Sequence, residues 1–132
     1  MELWEVRKNF REGLYDKVRE YDEQFMFTGT WEAKKLLFEP TPEWLVAQVK
    51  RYFDASSARG VVTAEVSRNG RLHVHGLLVA SDDRSRRSMD EFVRYWTTTL
   101  GYGHLTKVTD LMGAIMYITK TFGEETLYEW RL

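Results

Sequence analysis

Residues 61–80 read VVTAEVSRNGRLHVHGLLVA, and the way this stretch folds back on itself governs everything around it. Two alternating runs, VVTAEVS and RLHVHGLLVA, flank Asn69 and Gly70, which is the strongest short-range hairpin signal a sequence carries. The turn then decides which side chains share a face. A two-residue turn of Asn69 and Gly70 sets Glu65 against Val74, with the carboxylate on the wrong side. A three-residue turn of Arg68, Asn69 and Gly70, with Gly70 left-handed, sets Glu65 against His73. Val62, Ala64 and Val66 then join Leu72, Val74 and Leu78 on one face, while Glu65, His73 and His75 gather on the other. The apolar and polar patterns use different residues and demand the same register, so the second pairing is expected.

Outward from the hairpin, Thr41, Pro42 and Glu43 supply an N-cap, a first-turn proline and a dipole-favoured acid, predicting a helix to about residue 56 with Trp44, Leu45, Val49, Tyr52 and Phe53 buried. Before it, QFMFTGTW at 24–31 is rich in aromatic and β-branched residues and predicts a strand. Phe10, Leu14, Val18 and Tyr21 form a narrow apolar stripe that predicts a helix over 9–21. After the hairpin, Ser88 and Glu91 form a capping box, Phe92, Tyr95, Trp96 and Leu100 an apolar face, and Gly101 a helix stop. GHLTKV at 103–108 predicts a strand, and Asp110 opens a last helix through Leu111, Ile115, Tyr117, Ile118 and Phe122 to Gly123. The tail EETLYEWRL has no decisive pattern. From residue 24 the order is β, α, β, β, α, β and an extra helix. This is an α+β, ferredoxin-like or RRM-like antiparallel sheet (a split βαβ), with helices on one face and the other face left for function. Without repeats or a Gly/Ser/Pro linker, residues 1–132 are expected to form one domain.

Composition narrows the function classes. The 132 residues are 43% hydrophobic, 14% aromatic and 30% charged, the profile of a folded domain. With no cysteine, thiolate metal sites and cysteine nucleophiles are excluded, and a reducing, intracellular location is expected. Neither a membrane-length apolar run nor the pattern of a signal peptide occurs, so no membrane partner is expected. A net charge of −1 argues against a strongly basic nucleic-acid coat. The cluster Arg84, Arg86 and Arg87, taken alone, describes a solvated charged segment.

His73 and His75 alternate with Val74, so both imidazoles leave the strand on one face. Alone, such a pair is more often a solvated feature than a ligand set; Glu65 opposite His73 makes it two imidazoles and a carboxylate. Three ligands leave coordination positions open, which suits a divalent ion that must also hold phosphate oxygens, with manganese or magnesium expected. Tyr117 and Lys120, three apart on the last predicted helix, set a phenol beside a cation. Alone, a tyrosine at an apolar helix position is usually core.

Taken together these residues resemble the HUH endonucleases, and within them the single-tyrosine replication initiators (Rep proteins) of rolling-circle plasmids, phages and small single-stranded DNA viruses. Phe27, Thr28, Gly29 and Thr30 resemble the first motif, His73, Val74 and His75 the His-hydrophobic-His motif, and Tyr117, Ile118, Thr119 and Lys120 the YxxK motif. Glu65 stands eight positions before His73, where geminivirus-like Reps carry a third metal ligand. The resemblance spans residues 24 to about 122, and its specificity lies in the combination. It implies metal-dependent attack by Tyr117 on one phosphodiester of single-stranded DNA at a replication origin, leaving a 5′-phosphotyrosine and a free 3′-hydroxyl, with the reverse reaction rejoining the strand. Lys120 would stabilise charge near the reacting groups, and Thr28, Thr30, Arg68, Arg71, Arg84, Arg86 and Arg87 would contact DNA. A monomer is favoured, with any helicase supplied in trans. The acidic net charge departs from expectation for a DNA enzyme. Two alternatives stand beside this one: a single-tyrosine transposase of the insertion-sequence type, which usually carries Gln downstream of the tyrosine, and a non-catalytic single-strand-binding module, which leaves the histidines and Glu65 unexplained. Relaxases fit poorly, needing a third histidine and an amino-terminal tyrosine.

Overall fold

The hairpin at 61–80 occupies the middle of a five-stranded sheet. The computed structural model describes residues 2–66, 70–120 and 127–132. Its elements run α1 (Leu3–Val18), β1 (Glu23–Trp31), α2 (Pro42–Ala55), β2 (Arg59–Val66), β3 (Leu72–Ala80), α3 (Asp83–Thr99), β4 (Gly101–Lys107), α4 (Leu111–Ile118) and β5 (Leu127–Arg131). The sheet order is β4-β1-β3-β2-β5, and every neighbouring pair is antiparallel. The first four strands have the order of a split βαβ, as expected, and the tail that carried no clear pattern adds β5 beside β2.

The register is the one demanded by the two patterns: Glu65 pairs with His73, Ala64 with Val74 and Val66 with Leu72. Gly70 has φ of 80°, the left-handed conformation the turn requires, while Arg68 and Asn69 lie outside the described residues. Val66, expected in the core, is 58% exposed because it stands at the end of β2.

Alternation sorts the strands onto two cores. Phe27, Val62, Ala64, Val74 and Leu78 pack against Leu45, Val49 and Phe53 of α2 and Met89, Phe92 and Trp96 of α3. On the opposite face, Val61, Leu77 and Val79 pack against Leu14 and Val18 of α1 and Ile115 and Ile118 of α4. The face opposite α2 and α3 is therefore only half open: α1 and α4 cover one end, leaving the end that holds His73 and His75. Gly29 marks the tightest point beneath α3. A Cβ there would lie 2.7 Å from the Trp96 indole, whose Nε1 donates to the Thr30 carbonyl at 3.0 Å.

Several boundaries differ from expectation for local reasons. Thr41 caps α2 as predicted, accepting from the Trp44 amide at 3.1 Å. α3, however, starts at Asp83, because Asp82 takes the cap and its carboxylate accepts from the Ser85 amide at 2.7 Å. Ser88 is instead buried inside the helix, its Oγ accepting from the Ser57 amide at 3.2 Å. Gly101 follows the Leu100 C-cap, so α3 stops where expected, but without a left-handed glycine; Gly101 begins β4, and a Cβ there would run into the Thr30 carbonyl. α1 begins at Leu3, six residues before the predicted start at 9, with a capping box between Glu2 and Glu5. α4 ends at Ile118, so Lys120 follows the helix, and the predicted end at Phe122 and Gly123 lies outside the described residues.

Gly29→Ala should lower stability by about 1–3 kcal/mol, because the added methyl meets a fully buried indole. An unchanged urea midpoint would contradict this packing.

Candidate metal and tyrosine site

Four strands present a row of polar side chains at the open end of the face. Thr28 lies between His104 on β4 and His75 on β3, and Thr63 lies on the other side of His75. One pleat along, Thr30 pairs with His73, which pairs with Glu65. Glu65 is the focus. Its Oε1 accepts from His75 Nε2 at 2.6 Å and from His73 Nε2 at 3.1 Å, and Lys120 Nζ lies 3.4 Å from the same oxygen. His73 Nδ1 lies 3.3 Å from the Arg71 carbonyl oxygen, an acceptor able to hold the Nδ1–H tautomer when Nε2 is used as a ligand.

α4 sets the tyrosine over this trio. Asp110 caps the helix by accepting from the Gly113 amide at 3.0 Å, and Ile115 and Ile118 bury its inner face. Tyr117 is left 48% exposed with its ring edge-on to His75, centroids 5.3 Å apart. Lys120 Nζ lies 4.2 Å from the Tyr117 ring centroid, so this one ammonium touches both the phenol ring and the carboxylate. Arg11 of α1 fixes the turn between them, donating from Nε to Thr119 Oγ1 at 2.7 Å. Tyr128 serves a different purpose: its hydroxyl donates to the Ile118 carbonyl at 3.2 Å, and its ring packs on Phe10.

Burial and charge act against each other in the cluster. Desolvation pushes the pKa of His75 down, outweighing the hydrogen bond and charge of Glu65, so His75 favours the neutral, ligating form. Burial alone would raise Glu65, but the hydrogen bond from His75 and the charges of His75, Lys120 and His73 hold its carboxyl below the usual range. The ligand atoms of Glu65, His73 and His75 lie within 4.8 Å of one another. Thr63 Oγ1, directly across the sheet from His75, is buried without a hydrogen-bond partner among the described residues, an unmet polar atom beside the ligand set. Two imidazole nitrogens and a carboxylate oxygen, with the cleft open on one side, form a donor set that could hold a divalent ion with coordination positions to spare.

The cleft has a volume of about 530 Å³ and is lined by Thr28, Thr30, Arg71, His73, His75 and Tyr117, with Trp31 and Glu39 beyond them. Of the expected contact residues, Thr28, Thr30 and Arg71 are therefore at the site, and Arg68 lies outside the described residues. Arg84, Arg86 and Arg87 are not brought to it. They sit in the first turns of α3, on the other side of the sheet and at the opposite end of β3 from His73, and Arg86 is paired with Glu23 and Asp83. The sequence reading missed Thr63, although its position two residues before Glu65 signals the shared face. It also missed Trp31 and Glu39, which flank an irregular segment whose path no periodicity reveals. No protein-family model matches the chain, and no curated protein matches it. Among the described residues, no helix is long and apolar enough to cross a membrane.

Manganese affinity should hold at and above neutrality and fall as pH is lowered from about 7 towards about 3, because protons compete first for the imidazole nitrogens and then for the Glu65 carboxylate. The downward shifts of His75 and Glu65 place their share of that loss below the ordinary imidazole and carboxylate ranges. Calorimetric titrations showing no weakening across this interval would contradict the ligand set. Removing either histidine should cost about 100-fold or more in affinity. Because His75 is only 3% exposed, in contrast to the open position expected for both imidazoles, His75→Ala should also lower the unfolding midpoint more than His73→Ala.

Proposed function

We propose that the protein is a metal-dependent endonuclease of the HUH, single-tyrosine Rep type, which nicks and rejoins single-stranded DNA at a replication origin. The single observation that carries this is the convergence on one cluster of Glu65, His73, His75, Tyr117 and Lys120, residues drawn from β2, β3 and the end of α4. A binding module has no use for a tyrosine and a lysine poised over a ligand trio. Lys120 favours the initiator over the transposase reading, since the transposases usually carry Gln downstream of the tyrosine.

Glu65, His73 and His75 would hold manganese or magnesium, which when bound supplies Lewis-acid polarisation of a phosphate oxygen. Thr28, Thr30 and Arg71 line the cleft that receives the strand and position its backbone. Tyr117 Oη attacks phosphorus; the Oη–P bond forms and the bond from phosphorus to the 3′ oxygen breaks. The departing oxygen takes up a proton and becomes a 3′-hydroxyl, while the phenol proton passes to solvent at the exposed side of the ring. Lys120 Nζ, over the Tyr117 ring, would offset the negative charge that gathers on the phenol oxygen and the phosphate. Because the broken bond is stored as a phosphotyrosine, attack by a 3′-hydroxyl on that ester rejoins DNA with no nucleotide cofactor. An intracellular compartment is the natural setting for this chemistry, and the cysteine-free sequence suits it.

Incubation with a pool of labelled single-stranded DNA and manganese should give a covalent adduct at the 5′ end of the downstream fragment, mapped by mass spectrometry to Tyr117. Tyr117→Phe should retain manganese and DNA binding but lose both cleavage and joining, by about 1,000-fold or more. An adduct on Tyr128, or wild-type nicking by Tyr117→Phe, would overturn the assignment.

A further inference from the structure

Beyond the cleft, the molecule carries a second groove, between α1 and α4, with a volume of about 320 Å³. Trp4, Arg7, Lys8 and Arg11 form its α1 wall, and Met112 and Met116 its α4 wall. Positions 4, 7, 8 and 11 recur on one helical face, so the aromatic ring and the three cations line up along α1. Trp4 is 64% exposed and Met116 50%, an unusual outlay of large apolar surface. Among the described residues, the acid in the lining is Glu12, which makes an exposed 3.8 Å pair with Lys8, a contact weak enough to be exchanged for a phosphate. In a chain of net charge −1, three cations around one flat indole form a local basic stripe.

The groove's α4 wall ends one residue before the tyrosine. Met116 precedes Tyr117, and Arg11, at the groove's end, donates to Thr119 Oγ1 and to the Thr119 carbonyl, one residue before Lys120. A ring with two polarisable thioethers for a base, and guanidinium and ammonium groups for phosphates, is the combination that recognises unpaired nucleic acid. We infer that this groove is a second single-stranded DNA subsite, which takes the strand on the 3′ side of the nick with a base stacked on Trp4 and its phosphates on Arg7, Lys8 and Arg11. The direction rests on the proposed nicking chemistry: the fragment esterified to Tyr117 stays with α4, and α4 is one wall of the groove.

The test uses the whole chain and reads binding separately from cleavage. Fluorescence anisotropy with oligothymidylate should show that Trp4→Ala binds about tenfold more weakly than wild type, the loss of one stacked base. The double variant Arg7→Ala/Lys8→Ala should reduce the salt slope of log affinity by about 1.4, two phosphate contacts on a single strand. Circular dichroism checks that both variants are folded. On a strand that the wild type cleaves, trimming the 3′ flank to about two nucleotides should weaken binding, and trimming the 5′ flank should not reproduce the loss shown by Trp4→Ala. Unchanged affinity and salt slope in both variants would overturn the subsite, as would a dependence on the 5′ flank alone. A change of oligomeric state in the variants without loss of DNA affinity would also overturn it, since the groove would then be a protein interface. If no strand is cleaved but the variants still lose oligothymidylate affinity, the groove stands as a DNA site and the nicking chemistry falls.

Discussion

One carboxylate oxygen ties the site to the fold. Glu65 Oε1 is shared by two imidazoles and one ammonium, and it reaches them only because β2 and β3 pair with Glu65 opposite His73. A slip of one residue would turn Glu65 and Thr63 toward α2 and α3, burying a carboxylate among Phe53, Phe92 and Trp96, and would lift Val62 and Ala64 into the cleft. Both outcomes are costly, so the packing that stabilises the sheet and the chemistry of the cluster enforce the same register. The left-handed Gly70 supports it at the turn.

The two faces of the sheet divide the work. α2 and α3 close one face with the larger aromatic core, which leaves the other face free of the need to stabilise the whole molecule. α1 and α4 cover only part of that second face, and the covered part is what makes the uncovered part specific. The apolar inner side of α4 anchors on Val61, Leu77 and Val79, and so Tyr117, near its end, hangs over His75. Arg11 holds the turn that follows, so α1, far away in sequence, sets the position of Lys120.

Much of this arrangement was legible in the sequence where a short period meets a sharp constraint. The alternation of Val62, Ala64, Leu72, Val74 and Leu78 against Glu65, His73 and His75 specified the hairpin, its register and the gathering of these three polar side chains on one face. Thr41 and Pro42 specified the start of α2. Ser88 misled because a buried serine inside a helix and a capping serine look alike in sequence, and only the competing cap at Asp82 distinguishes them. β5 escaped because its strand character comes from pairing with β2 and not from a strong pattern of its own. The arginines at 84, 86 and 87 were grouped by proximity in the chain, but the crossover from β3 into α3 carries them to the far side of the sheet. Burial of His75 depends on where α4 lands, which is a tertiary fact that no local pattern records.

The central claim is that Glu65, His73 and His75 act together as a ligand set for a divalent ion, and electron paramagnetic resonance of the protein with added manganese tests it most directly. The account predicts one bound ion per chain with magnetic coupling to two nitrogen nuclei, reduced to one nitrogen in His73→Ala and in His75→Ala. Manganese bound without nitrogen coupling, or coupling unaffected by both substitutions, would contradict it.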